Sequence, residues 1–107
     1  MRHEQHFIDG VPVPPGTAQY MDVFNPATGE KVATVARGDA RDVDLAVAAS
    51  KRALPGWRDV RPAERGRVLT RMAALIRTHA GELGELEREE TGKPPTQVAI
   101  EMENTAQ

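Results

Sequence analysis

Residues 31–54 read KVATVARGDARDVDLAVAASKRAL, and inside this stretch the apolar repeat changes from about two residues to about 3.6. Lys31 to Val35 is a short strand-like run in which Val32 and Val35 are apolar and Thr34 is polar. From Asp39 onward, Val43, Ala46, Val47 and Leu54 fall on one face of an amphipathic helix. Asp39 is placed to cap that helix, because its carboxylate can accept from first-turn N–H groups that lack an intrahelical partner. Asp42 then falls at the third helical position. A strand that runs at once into a capped helix predicts a mixed α/β chain.

Working outward toward the start, the turn-rich sequence Asn25-Pro26-Ala27-Thr28-Gly29-Glu30 separates the Lys31 run from a second apolar run, Met21 to Phe24, which predicts a hairpin. A first hairpin is predicted around Asp9-Gly10, between Phe7-Ile8 and Val11 to Val13, with Pro12 confining its second arm to an edge. Residues 1–6 are expected to be a flexible tail, so His3, Glu4 and His6 read as solvated rather than as a metal site.

Working outward in the other direction, Pro55-Gly56 is expected to stop the first helix, with Trp57 packed beneath that turn. A second helix should open at Pro62, with Glu64 near its positive end and Val68, Leu69, Met72, Leu75 and Ile76 as its apolar stripe. A break is expected near His79-Ala80-Gly81. A third helix then carries Leu83 and Leu86 to Gly92, and a fourth begins at Pro95 and runs through Val98, Ala99 and Met102.

Composition narrows the chemistry. The 107 residues contain no cysteine, so this stretch has no disulfide, thiolate metal site or cysteine nucleophile. A net charge of −2 with interspersed signs argues against a nucleic-acid partner. The absence of a long apolar run argues against a membrane span, and the cytoplasm is the expected location. Glu85, Glu87, Glu89 and Glu90 alternate with Arg88 as a solvated helical face does. Lys93 sits past a helix end, where the dipole favours a cation. Gly29-Glu30-Lys31 lacks the glycine spacing of a phosphate loop.

The order of the landmarks is more distinctive than any one of them. Phe7-Ile8-Asp9-Gly10, Val23-Phe24-Asn25-Pro26-Ala27-Thr28-Gly29-Glu30, Gly38-Asp39, Asp42-Val43-Asp44, Pro55-Gly56-Trp57, Pro62-Ala63-Glu64-Arg65 and Glu90-Thr91-Gly92-Lys93-Pro94 follow one another in a way that resembles the N-terminus of the aldehyde dehydrogenase superfamily. The resemblance implies that residues 1–107 are a partial, N-terminal segment of a Rossmann-like cofactor domain: two β-hairpins followed by about four helices.

It further implies a longer, homodimeric or homotetrameric oxidoreductase that converts a small-molecule aldehyde to a carboxylic acid with NAD or NADP. The route in that family is a cysteine thiohemiacetal and thioester. None of its catalytic groups falls in this segment, which is expected to be inactive alone. Two minor sites are implied as well. Backbone carbonyls of Val23 and Phe24 with the carboxylate of Glu90, where the family commonly has aspartate, correspond to a structural monovalent cation site. Thr105 corresponds to the wall of the substrate entrance. A different class of function, a non-catalytic interaction module that keeps this N-terminal fold, stays open beside the enzyme reading.

Overall fold

A computed structural model describes all 107 residues. Five short strands precede four helices: β1 (Arg2–Glu4), β2 (His6–Ile8), β3 (Val11–Val13), β4 (Tyr20–Phe24), β5 (Lys31–Ala36), α1 (Ala40–Asp59), α2 (Pro62–Thr78), α3 (Ala80–Thr91) and α4 (Pro95–Thr105). The chain divides into two compact units. One holds Met1–Phe24 with Lys31–Asp59, the other Asn25–Glu30 with Val60–Gln107.

In the first unit, β2 and β3 pair antiparallel with Ile8 opposite Val11. Asp9 and Gly10 both have positive φ, at 55° and 79°. That pair of conformations lets a two-residue loop follow the twist of its strands. Strands β4 and β5 pair antiparallel from Tyr20 opposite Ala36 to Phe24 opposite Lys31, with an irregularity between Val23 and Phe24.

The first residues correct the expectation of a flexible tail. Strand β1 pairs in parallel with the other edge of β5, His3 opposite Thr34, giving the sheet order β1-β5-β4. The exposed edge of β5 offers unpaired N–H and C=O groups, and three residues suffice to occupy them. His3 adds a 2.6 Å hydrogen bond between Nδ1 and Thr34 Oγ1, and its ring lies 4.3 Å from that of Tyr20.

Helix α1 corrects two more expectations. It continues through Pro55 to Asp59. A proline removes one N–H from the helical ladder, and at this exposed position the carbonyl left over can turn to water. Trp57 therefore lies in the last turn of the helix, 43% exposed, instead of beneath a break. The face of α1 that packs keeps only Ala46 of the four apolar residues expected there. Ala49 is buried and Ala46 half-buried near β2, whereas Val43, Val47 and Leu54 are 59, 46 and 56% exposed.

In the second unit, α2 begins with Pro62 at its first turn, and His79 alone separates it from α3. Pro62 is preorganised for that place because its missing N–H would have had no partner there. Gly92 ends α3 at φ 71°, its N–H donating to the Arg88 carbonyl. The left-handed conformation needed there is least costly for glycine. Gly84 is buried where α3 meets α4, and a Cβ on it would come within 3.0 Å of Val98 Cγ1. The buried apolar side chains are few and small, Pro15, Ala33, Ala49, Val98 and Ala106, with no large side chain fully buried.

Candidate functional site

The most connected polar group of the first unit is Asp42, 5% exposed at the start of α1. Asp39 Oδ1 accepts from the N–H groups of Arg41 and Asp42 at 3.0 and 3.2 Å, and Asp42 Oδ2 accepts in return from the N–H of Asp39 at 3.0 Å. The two aspartates thus form a reciprocal cap on the helix. Asp42 Oδ1 accepts a second N–H, from Gly16 at 3.1 Å, which fastens the segment after β3 to the helix start. His6 Nε2 is buried 3.4 Å from Asp42 Oδ2 without forming a hydrogen bond. The N–H groups of Asp39 and Gly16 hold the Asp42 carboxyl below its ordinary range despite its burial. The sequence shows Asp42 at a capping position. Its link to Gly16, 26 residues away, has no local signal. The chemistry of this cluster is structural, because every strong contact of the carboxylate is spent on backbone N–H groups.

In the second unit, Lys93 lies between two carboxylates, with Nζ 2.8 Å from Glu87 Oε1 and 2.7 Å from Glu101 Oε2. Glu101 first, and Glu87 after it, raise the pKa of the ammonium, and Lys93 in turn lowers that of Glu101. Lys93 therefore ties α3 to α4 by ion pairing, beyond the dipole effect expected past a helix end. Arg77 of α2 donates three hydrogen bonds to the Glu103 carboxylate of α4, at 2.8 to 3.2 Å. Of the expected solvated glutamates, Glu85 pairs with Arg88 as well as facing water.

An open groove of about 710 Å³ runs between α2 and the end of α4, lined by Leu69, Met72, Ala73, Ile76, Thr105 and Ala106 among others. Thr105, singled out from the sequence, is exposed there, and its hydroxyl donates to the Glu101 carbonyl at 2.8 Å. Arg77, which also borders the groove, is already matched by Glu103.

The residues expected at a cation site are placed as follows. Val23 is half-buried and Phe24 exposed at the irregularity of β4 in the first unit, and Glu90 is exposed in the last turn of α3 in the second. Side chains do not supply a cage, since no group of three or more His, Cys, Asp or Glu residues is arranged to hold a metal ion. No helix is long and apolar enough to cross a membrane.

The sequence pattern of the aldehyde dehydrogenase family matches residues 13–107. Betaine aldehyde dehydrogenase of Cereibacter sphaeroides is 42% identical over 89 residues, 83% of this chain and 18% of the relative. Betaine aldehyde dehydrogenase 1 of Rhizobium meliloti is 44% identical over the same shares. Among solved structures, PnpE in complex with nicotinamide adenine dinucleotide superposes with a TM-score of 0.93 at 39% identity, covering 96% of this chain and 21% of that one. The NAD-dependent aldehyde dehydrogenase of Sinorhizobium meliloti gives 0.91 at 34%, covering 97% and 21%. The chain belongs to the aldehyde dehydrogenase family, and it spans about a fifth of the length of these relatives.

Proposed function

We propose that these residues are the N-terminal part of a longer NAD(P)-dependent enzyme that oxidises an aldehyde to its carboxylic acid. The observation that carries this reading is the family match over residues 13–107, with the fold of the NAD-bound relative reproduced over nearly all of the chain. In the overall reaction, aldehyde, water and NAD(P)+ give acid, NAD(P)H and a proton. In the complete enzyme a cysteine thiolate outside this segment would supply the nucleophile, the nicotinamide cofactor would supply the hydride acceptor, and water would release the acid.

This segment has no thiol and no glycine-rich phosphate loop, so neither the nucleophile nor the cofactor contacts are assigned to its residues. Its contribution is scaffolding: capped helices and hairpins that support the domain around the cofactor. The Thr105 end of α4 borders the aldehyde entrance in the complete enzyme, which supports small changes in substrate preference on mutation there. Supporting a monovalent cation falls to the carbonyls of Val23 and Phe24 and the Glu90 carboxylate. The complete enzyme is read as a cytoplasmic homodimer or homotetramer.

The test is reduction of NAD+ and NADP+ by the full-length chain with a panel of aldehydes that includes betaine aldehyde. Turnover by the full-length chain and none by residues 1–107 is expected. Enzyme-like turnover by the 107-residue chain overturns the assignment of catalysis to the rest of the protein.

A further inference from the structure

The turn of the first hairpin places a carboxyl carbon beside an unscreened backbone nitrogen. Asp9 and Gly10 lie outside the strand register, which ends with Ile8 opposite Val11, so the Gly10 nitrogen is not part of the ladder. Both residues are exposed, and a Cβ placed on Gly10 would meet nothing within 4 Å. No side chain therefore stands between that nitrogen and the Asp9 carboxyl. Asp9 is also loosely held: its carboxylate is 3.8 Å from Arg52, the two side chains being 70 and 67% exposed, and an ion pair so hydrated restrains little. The strands on either side have three residues each, and a two-stranded ribbon of that size opens readily.

The other aspartates and asparagines lack this combination. Asp22 precedes Val23 within β4, while Asp39, Asp42, Asp44 and Asp59 precede Ala40, Val43, Leu45 and Val60 in or next to α1. Each following residue sets a side chain against the approach of its own nitrogen. Asn25 precedes Pro26, whose nitrogen has no proton to release, and Asn104 precedes the β-branched Thr105 inside α4. We propose that Asp9-Gly10 is a site of spontaneous isoaspartate formation in the folded protein.

The Gly10 nitrogen attacks Asp9 Cγ and a C–N bond forms. The Gly10 N–H proton leaves with the carboxyl hydroxyl as water, and a succinimide remains. Water then adds to one of the two imide carbonyls and breaks its C–N bond. Addition at Cγ regenerates aspartate. Addition at the α-carbonyl leaves the main chain running through the Asp9 side-chain carbons, with a free α-carboxylate. Nothing is oxidised or reduced, and one water is lost and one regained. The isoaspartyl form lengthens by a methylene a two-residue loop whose fit depends on positive φ at both positions, so Ile8 no longer faces Val11. Phe7 and Ile8 also line a cavity with Ala46 and Ala49 of α1, and that packing is disturbed with the turn.

The full-length chain is kept folded near neutral pH for several weeks in water carrying the heavy oxygen isotope, then digested in ordinary water for peptide mass spectrometry. A protein isoaspartyl methyltransferase with S-adenosylmethionine reports the isoaspartyl product by methyl transfer. The peptide containing Asp9 should gain heavy oxygen and accept methyl groups in larger amount than the peptides of the other five aspartates together. Asp9→Asn should reach the same product faster, releasing ammonia in place of water, and Asp9→Ser should abolish the signal. The unaltered chain decides the site even if a variant does not fold. Isoaspartate spread evenly over the aspartates overturns the proposal. Isoaspartate at Asp9 that forms only after unfolding in denaturant also overturns it, because the folded turn would then shield the nitrogen.

Discussion

The γ-carbon of Pro26 occupies the space into which a side chain at position 92 would project: a Cβ on Gly92 would lie 3.0 Å from it. Two landmarks 66 positions apart in the sequence, the Asn-Pro turn and the Gly-Lys-Pro stop, are thus one packing contact in the second unit. The turn is rigid enough to serve as a partner, since Asn25 accepts from the N–H of Gly29 at 2.7 Å and its side chain from that of Ala27 at 2.9 Å.

Gly92→Ala therefore meets two penalties, a left-handed backbone and a steric overlap with the proline ring. The backbone part alone is about 1–2 kcal/mol. Denaturant titration of the full-length chain should show a loss at least that large. Pro26→Ala should make the second penalty smaller, so the two changes will be non-additive in a double-mutant cycle. Additive losses would mean that the contact contributes nothing.

Acid should release the start of α1. The Asp42 carboxyl is lowered from its ordinary value of 3.8 in the folded chain. Its stabilising contribution is thus complete above that value and is lost as pH falls through the lower folded pKa. Asp42→Asn should flatten this acid limb of a stability-versus-pH curve followed by circular dichroism, and should weaken the attachment of Gly16. Asp39→Ala, which removes the forward half of the cap, should cost about 1 kcal/mol at neutral pH. An acid limb unchanged in Asp42→Asn would assign it to other carboxylates.

Lys93 behaves in the opposite sense. Its pKa is raised above the ordinary 10.5, so its ion pairs persist below that value and are lost as pH rises through the folded pKa. Lys93→Met should lower the thermal midpoint by leaving Glu87 and Glu101 to face each other. The loss should shrink at high salt, which screens half-exposed charges. Glu101→Gln in the Lys93→Met background should restore part of the midpoint. A midpoint that ignores both salt and the second change would remove the ion pair from the account of α3–α4 packing.

The isolated 107-residue chain should associate or melt without a sharp transition, since Leu69, Met72, Val43 and Leu54 are each more than half exposed. Leu69→Lys with Met72→Lys should keep it monomeric in sedimentation while its helix content persists. The same pair should reduce the yield of folded full-length chain. A reversible, monomeric, cooperative melt of the unaltered chain would contradict this expectation.

What the sequence discloses is mostly what is decided within a few residues. Asp9-Gly10, the Asn25 to Glu30 turn, Asp39 with Asp42, Pro62, Gly92 and Pro95 each mark a turn or helix end through their own backbone preferences, and each sits where expected. Pro55 misleads because a single lost N–H on an exposed face can be tolerated inside a long helix. β1 escapes notice because its pairing is dictated by the open edge of β5 and not by Arg2-His3-Glu4 themselves. The same holds for the contacts of Asp42 with Gly16, Lys93 with Glu101 and Pro26 with Gly92, which depend on chain positions brought together only by folding. The inward face of α1 is hidden for a related reason: Val43, Val47 and Leu54 are apolar, yet Ala46 and Ala49 do the packing within this unit.

The reciprocal cap of Asp39 and Asp42 also bears on how such a chain is made. Synthesis is directional, and a growing polypeptide exposes its first residues before later ones exist. A core that lacks any fully buried large side chain offers little to hold a helix in register during that interval. The aspartate pair needs only the four residues from 39 to 42 to fix where α1 begins. The boundary of the helix is therefore written early in translation, while its valine and leucine stripe still waits for something to cover it.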